Sequence, residues 1–431
     1  MRTLYIILLL AICSVSKAQN NVLTQDDAIK IALKNNFDIL IARNDADIAK
    51  LNNTPGNAGM RPTLNINGSA AYDYNNVYQK LSSGTINKYP SQSSTTIGAN
   101  TELSWTLFDG GKMFVTKNKL NEIQALGDLQ FQAKVLETTY NVIAAYYDIV
   151  RQKQQLKSIN EAINYNKERV TIAETGFNAG TLVKTDLLQA KIDLNVVMEN
   201  AINQQSIISE AKKTLNRILG QNPEATFDVS ESIQQEYLPN KEELMQKLNS
   251  SNASILSFKK QIDIAGLTLK ENQKAYSPTL SFKGGYYLSQ TSNSEGSNLK
   301  NRSLGPQIGG TISIPLYNGG ETKRKISVAK KELESAQFDL ENVKLQMNTE
   351  LQNTLTDFEN QQHLLLIEKD NNQLAKENME ISLQRLRLGQ TTSLEVHQAQ
   401  ENYVQSCTRL INFQYNLKIG ETRLKQLVSA L

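Results

Sequence analysis

Apolar positions in this chain follow one rhythm over long stretches and another over short ones. From Leu126 they recur at Leu129, Ala133, Leu136, Tyr140, Ile143, Tyr147 and Val150, in alternating steps of three and four. That spacing puts them on one stripe of a helix, a heptad seam of the coiled-coil kind. A second stripe, Val135, Val142, Ile149, Leu156, Ile163 and Val170, repeats every seven residues on another face, so this helix is expected to touch neighbours on two sides. Leu333, Ala336, Leu340, Val343, Met347, Leu351, Leu355 and Phe358 repeat the first pattern later in the chain. All eight prolines fall outside 91–222 and 316–431, and both stretches can therefore run as long helices. A helix from Gly111 to about Phe177 would measure about 100 Å at ~1.5 Å per residue. Flanking helices are expected over roughly 24–58 and 181–219.

Elsewhere the period is two. Leu64, Ile66, Gly68, Ala70, Tyr72 and Tyr74 alternate with polar residues, as do Ile97, Ala99, Thr101, Leu103, Trp105 and Leu107. The later counterparts are Leu280, Phe282, Gly284, Tyr286 and Leu288, then Ile308, Gly310, Ile312, Ile314 and Leu316. Strands are predicted at about 63–74, 95–108, 279–290 and 306–316, with polar loops at Asn75–Ser94 and Ser289–Gly305. A strand of ~10 residues, apolar on one face and small or polar on the other, suits the wall of a transmembrane β-barrel. A soluble four-stranded sheet packed on helices is the alternative. Four strands cannot close a barrel, since the smallest have about eight; several copies would have to share one, and cyclic symmetry is the usual way.

The chain is also written twice. LFDGG at Leu107–Gly111 returns as LYNGG at Leu316–Gly320, and FNAGTLVKTDLLQA from Phe177 returns as LRLGQTTSLEVHQA from Leu386, both 209 positions on. PTLNINGSAAY from Pro62 and PTLSFKGGYY from Pro278 form a third pair. Two structural repeats, 19–220 and 241–431, flank a linker at 221–240. Gly110, Gly111, Gly319 and Gly320 mark strand-to-helix joints. Gly180 with Thr181, and Gly389 with Gln390, mark the turns between long and following helices. Both strands of each hairpin join helices at the end opposite the polar loop, so all helices leave the membrane on one side and the glycine turns form the far tip. A hollow shaft continuing a membrane barrel is a conduit.

Composition narrows the field. The first residues, with Arg2, an apolar run from Leu4 to Val15, and Ser16 and Ala18 at a spacing of two, read as a secretory signal peptide over 1–18. A lipoprotein start at Cys13 is weaker, because Ile12 precedes the cysteine. Cleavage leaves Cys407 as the one cysteine, so no internal disulfide holds the exported chain. Forty-six Lys plus Arg against 43 Asp plus Glu, interspersed along helices, give no nucleic-acid footprint. His363 and His397 have no cysteine or second histidine at ligand spacing, so solvated helix positions are expected and no metal site. Gly110, Gly111 and Lys112 lack the rest of a phosphate loop. With no catalytic constellation and no cofactor motif, an enzyme is not expected.

These residues resemble the TolC-like outer membrane efflux protein family of Gram-negative bacteria. The resemblance rests on the opening LTQDDAIKIALKNN, the P-T-L strand starts, the duplicated Gly-Gly joints and the two tip motifs. It implies a mainly α protein with membrane β structure: a homotrimer sharing a 12-stranded barrel, continued by an α-helical periplasmic tunnel. It implies docking of the tips on a periplasmic adaptor (membrane fusion) protein, fed by an inner-membrane pump of unknown class. Localisation would be the outer membrane, in contact with its lipid, with a large periplasmic portion. The function implied is that of a passive exit duct for efflux or type I secretion; a secreted soluble coiled-coil scaffold or adhesin is the alternative. Carried over by position, the entrance holds Asp186 from the first tip motif and Glu395 from the second, with Gln398 where a second acid can stand. The family's tyrosine and arginine lock aligns with Leu386 and Thr391 and is absent as such, leaving Arg385 or Arg387 to substitute. Asp186 and Glu395 also suit plain first-turn or capping roles after a glycine turn.

Overall fold

The computed structural model describes residues 22–230, 232, 233 and 237–431; the expected signal peptide and Cys13 lie outside them. Its contacts divide into two compact units. One gathers the residues to Asn44, Leu129–Leu256 and Asn342–Leu431, the other Asp45–Asp128 and Ser257–Glu341.

In chain order, β1 (Val22–Leu23), α1 (Gln25–Asn35) and α2 (Phe37–Asn52) precede β2 (Thr63–Lys80) and β3 (Ile86–Phe108), then α3 (Lys112–Asn178) and α4 (Lys184–Ile218). After β4 (Asp228–Val229) the order returns: α5 (Lys241–Ser251), α6 (Ala253–Gln273), β5 (Thr279–Asn293), β6 (Lys300–Ser313), α7 (Glu321–Arg387) and α8 (Ser393–Leu427). The long helices α3 and α7 each have 67 residues, and α4 and α8 each have 35. No helix among the described residues is long and apolar enough to cross a membrane.

The second unit carries an antiparallel sheet in the order β2-β3-β5-β6. Residues paired across it share a face, and the alternation sorts them. Leu64 lies opposite Leu103, Trp105 opposite Phe282, and Gly284 opposite Ile308, on a face whose Ile66, Ile308 and Ile312 are at least 70% exposed. Asn65 opposite Glu102, and Ser104 opposite Lys283, occupy the other. The strands outrun their predicted lengths. Most of the two expected loops is strand, and only 81–85 and 294–299 turn the chain. Polar side chains hold this extension across the strands: the Thr96 and Thr291 hydroxyls are 3.2 Å apart, and Ser93 N donates to Ser294 Oγ at 2.9 Å. Pro90 falls where the β2–β3 register shifts, and Pro306 sits on edge strand β6, positions that spare a ladder donor. β6 ends at Ser313 rather than 316; Pro315 has no N–H to continue pairing.

The first unit's core explains the double stripe on α3. Val142 and Ile149 from one stripe, with Ile143, Tyr147 and Val150 from the other, are buried in a cluster with Ala28 and Ala32 of α1, Leu215 of α4 and Val229 of β4. Parallel pairing of β1 with β4 lies beside it, where Tyr146 Oη donates to Leu23 O at 3.0 Å.

The helix expected over 24–58 is instead two helices. Asn36 breaks it: its backbone is extended, its Oδ1 accepts from Ile39 N at 3.1 Å, and its Nδ2 donates to Ile218 O at the end of α4, at 2.7 Å. Pro55 stops α2 at Asn52, since the residue before a proline avoids helical angles. Asn252 repeats the device between α5 and α6, accepting from Ile255 N at 3.0 Å and donating to Leu427 O of α8 at 2.8 Å. Each buried asparagine caps one helix N-terminus and satisfies a carbonyl at another helix's C-terminus. Asn36→Ala and Asn252→Ala should each lower stability by ~1–2 kcal/mol, read as a lower denaturant midpoint with an unchanged slope.

Candidate functional site at the helical tips

Both glycine turns have the same construction. Gly180 and Gly389 have φ of 74° and 68°, a region open to glycine at little cost. Gly180 N donates to Phe177 O and Thr181 N to Gly176 O; Gly389 N donates to Leu386 O and Gln390 N to Arg385 O, at 2.9–3.1 Å. These paired bonds close the ends of α3 and α7 as Schellman motifs. The strand-to-helix joints use the same backbone region, since Gly110, Gly111, Gly319 and Gly320 all have positive φ. Asp109 caps α3 through Met113 N, and a Cβ on Gly110 would meet Ser277 at 2.1 Å.

The second tip forms a small polar cluster. Thr392 Oγ1 accepts from Glu395 N at 3.2 Å as the N-cap of α8. The Glu395 carboxylate in turn accepts from Arg385 Nη1 at 3.0 Å and from the Thr391 hydroxyl, while Arg385 Nη2 donates to Gln390 O at 3.1 Å. Glu395 is thus both a first-turn acid and one member of an ion pair across its own turn. Gln398 faces Asn402, to which it donates at 3.1 Å. Arg387 pairs with Glu168 of α3, a contact between the two hairpins. Asp186, half-buried in the first turn of α4, shares with Arg387, Thr181, Gly389 and Thr391 the lining of a groove of about 750 Å³ between the hairpins. Of the tip residues singled out by sequence, Arg385, Gln390 and Glu395 meet in the polar cluster and Asp186, Arg387, Thr181 and Gly389 line the groove, while Gly180 and Gln398 belong to neither.

A buried polar network without a sequence motif joins α3, α4 and α8. Arg169 of α3 is fully buried, bonded to Asp193 of α4 and, at 2.9 Å, to Gln400 Oε1 of α8. His397 Nδ1 lies 3.2 Å from Asp193 Oδ2 and 3.3 Å from Arg169, so His397, with its side chain 40% exposed, is a partly solvated helix position that also edges this interhelical network. Burial pulls the Arg169 guanidinium pKa below its ordinary value. The signal was present: Ala162, Asn166, Arg169 and Ala173 advance in steps of four, three and four, and all are buried. An arginine between small residues on such a stripe must be paired inside.

A sheet with one apolar and one polar face, open at both edges, together with paired helical hairpins whose tips carry charge, defines a channel-forming outer membrane protein. The sequence profile of the family described as "Outer membrane efflux protein" matches residues 11–221 and 244–430, and the chain belongs to that family. It is 22% identical over 381 residues to the outer membrane efflux protein BepC of Brucella suis, covering 86% of this chain and 82% of that one. It is also 22% identical over 404 residues to the outer membrane protein TolC of Escherichia coli, covering 90% and 78%. Among solved structures, VceC of Vibrio cholerae superposes with a TM-score of 0.74 at 18% identity, over 94% of this chain and 95% of that one. This membership sets aside the soluble scaffold or adhesin.

Removing one partner of the buried network leaves a charge uncompensated. Asp193→Asn should cost ~3–5 kcal/mol, read in chemical denaturation of the detergent-solubilised protein. Lys191→Gln, nearby on an exposed ion pair with Glu174, should cost under ~1 kcal/mol.

Proposed function

We propose that this chain is the passive exit duct of a tripartite efflux or type I secretion machine, with energy supplied by an inner-membrane pump and no catalysis of its own. The observation that carries the reading is the sheet: four strands with a lipid-compatible face and two unpaired edges, β2 and β6. Closing it with two further copies gives 12 strands and a homotrimer. A second feature supports the same assembly. Ile367, Leu374 and Ile381 of α7 and Leu388 just past its end repeat every seven residues and are 49–71% exposed, an unpartnered apolar strip that a neighbouring copy would cover. The two repeats, 19–220 and 241–431 about the linker 221–240, would each supply one hairpin of strands and one of helices.

The tips take the adaptor. Gly180, Thr181, Gly389 and Gln390 form tight turns beside the groove that Asp186 and Arg387 line, and a helical hairpin of an adaptor protein would seat against them. Of the candidate gate residues, Arg387 with Glu168 ties the two hairpins together and substitutes for the absent lock. Arg385 holds Glu395 and tempers its charge. Asp186 and Glu395 set the sign of the entrance, and Gln398 adds hydrogen-bonding capacity without charge.

Planar-bilayer recording of the purified protein tests this. Wild type should insert and conduct, which a soluble scaffold would not. Glu395→Gln should lower cation preference, and Arg385→Gln, which frees the carboxylate, should raise it. Identical ion selectivity in all three proteins would remove Glu395 from the entrance and leave the duct in place.

A further inference from the structure

The polar face of the sheet carries a charge pair with no part in the tips. Glu102 lies on β3 midway along the alternating segment Ile97–Leu107. Its Oε2 accepts from Tyr287 Oη at 3.0 Å, its Oε1 from Ser104 Oγ at 3.1 Å, and Lys283 Nζ stands 3.5 Å from Oε1. Glu102 is opposite Gly285 on β5, which has no side chain to cover the carboxylate. The neighbouring strand offers only amides here, with Asn65 opposite Glu102 and Asn67 opposite Asn100. On β2 the next charge on this face is Asp73, eight residues beyond Asn65 and about 26 Å along the strand at ~3.3 Å per residue.

Which way this face points follows from solvation. Leu103, Trp105 and Phe282 occupy the opposite face and suit hydrocarbon. A carboxylate and an ammonium at the same depth cannot face lipid without a large desolvation cost, so Glu102 and Lys283 face the aqueous interior. The Lys283 side chain is 61% exposed and that of Glu102 25%, so the lysine reaches further into the passage than the acid beneath it.

We propose that Glu102 and Lys283 form a second selectivity ring, charge-balanced and level with the apolar band at the helix-joined end of the barrel, and that Lys283 keeps this ring open to anions as well as cations. The proposal rests on the trimeric duct described above. Twelve strands spaced ~4.8 Å and tilted ~40° give a backbone radius of about 12 Å, the greatest distance from the wall to the axis. Three carboxylates at that distance act appreciably on an ion at the axis when the screening length is longer, as it is at ~0.01 M salt, where it is ~30 Å. While each carboxylate has its ammonium, the three-fold sum is zero. Tyr287 and Ser104 hold Glu102 in place whichever partner is removed, so its carboxylate stays on the wall when Lys283 is lost.

Reversal potentials in a salt gradient at low ionic strength test the ring, in a Glu395→Gln background so that this tip carboxylate does not contribute. Lys283→Gln should raise the cation-to-anion permeability ratio roughly three- to ten-fold, from Coulomb attraction by three charges at that radius. Glu102→Gln should shift the ratio by a similar factor toward anions, and the double variant should return close to the starting value. Ratios unchanged in both single variants, or moved in the same direction by both, would overturn the proposal. A parent protein that inserts and carries no current would instead contradict the duct on which it rests.

Discussion

An amide or carbonyl left unpaired in hydrocarbon costs several kilocalories per mole, and this chain's sheet exposes a row of them on each of two edges. Among the described residues, no further strand pairs with the outer edge of β2 or β6. Soluble proteins protect such edges with short strands, bulges and charges. Here the strands are 14–23 residues long and the apolar face is largely bare, so neither water nor lipid accommodates the sheet alone. Pairing β6 of one copy with β2 of the next satisfies both requirements, and the number of copies then sets the size of the lumen. The apolar strip on α7 poses the same demand for the helices: Ile and Leu side chains that the chain leaves uncovered.

Duplication lets a single chain meet these demands with few inventions. Both halves use a Gly-Gly strand-to-helix joint, a 67-residue helix, a Schellman turn, a 35-residue helix and a buried asparagine that pins a helix break to the end of that last helix. The halves differ where chemistry enters. Only the first tip module carries the buried Arg169 with Asp193, and only the second has the Arg385–Glu395 pair across its turn. The shared scaffold thus carries different charged groups at its two tips.

Much of this was legible from periodicity. The α3 stripes and the four strand segments could be read directly, because burial on one face forces a spacing on the sequence. What escaped had no such spacing. The outer parts of the strands, Asn75–Lys80 and Ile86–Ser94, are mostly polar and hold no sustained alternation, so they looked like loop until pairing fixed them. Asn36 and Asn252 are single polar residues in polar surroundings, and their effect appears only when the distant carbonyls of Ile218 and Leu427 come within reach. Arg169 carries no motif of its own, and only the spacing of Ala162, Asn166 and Ala173 around it marks that face of α3 as interior. Among the tip residues, positions were given by the repeat, whereas partners such as Glu168 for Arg387 depended on how the hairpins pack.

The central claim is that the sheet closes only between copies. Native mass measurement of the detergent-extracted protein tests it most directly. The account predicts a single species of three chains, lost together with its barrel on heating; a stable, folded monomer with the same β content would contradict it.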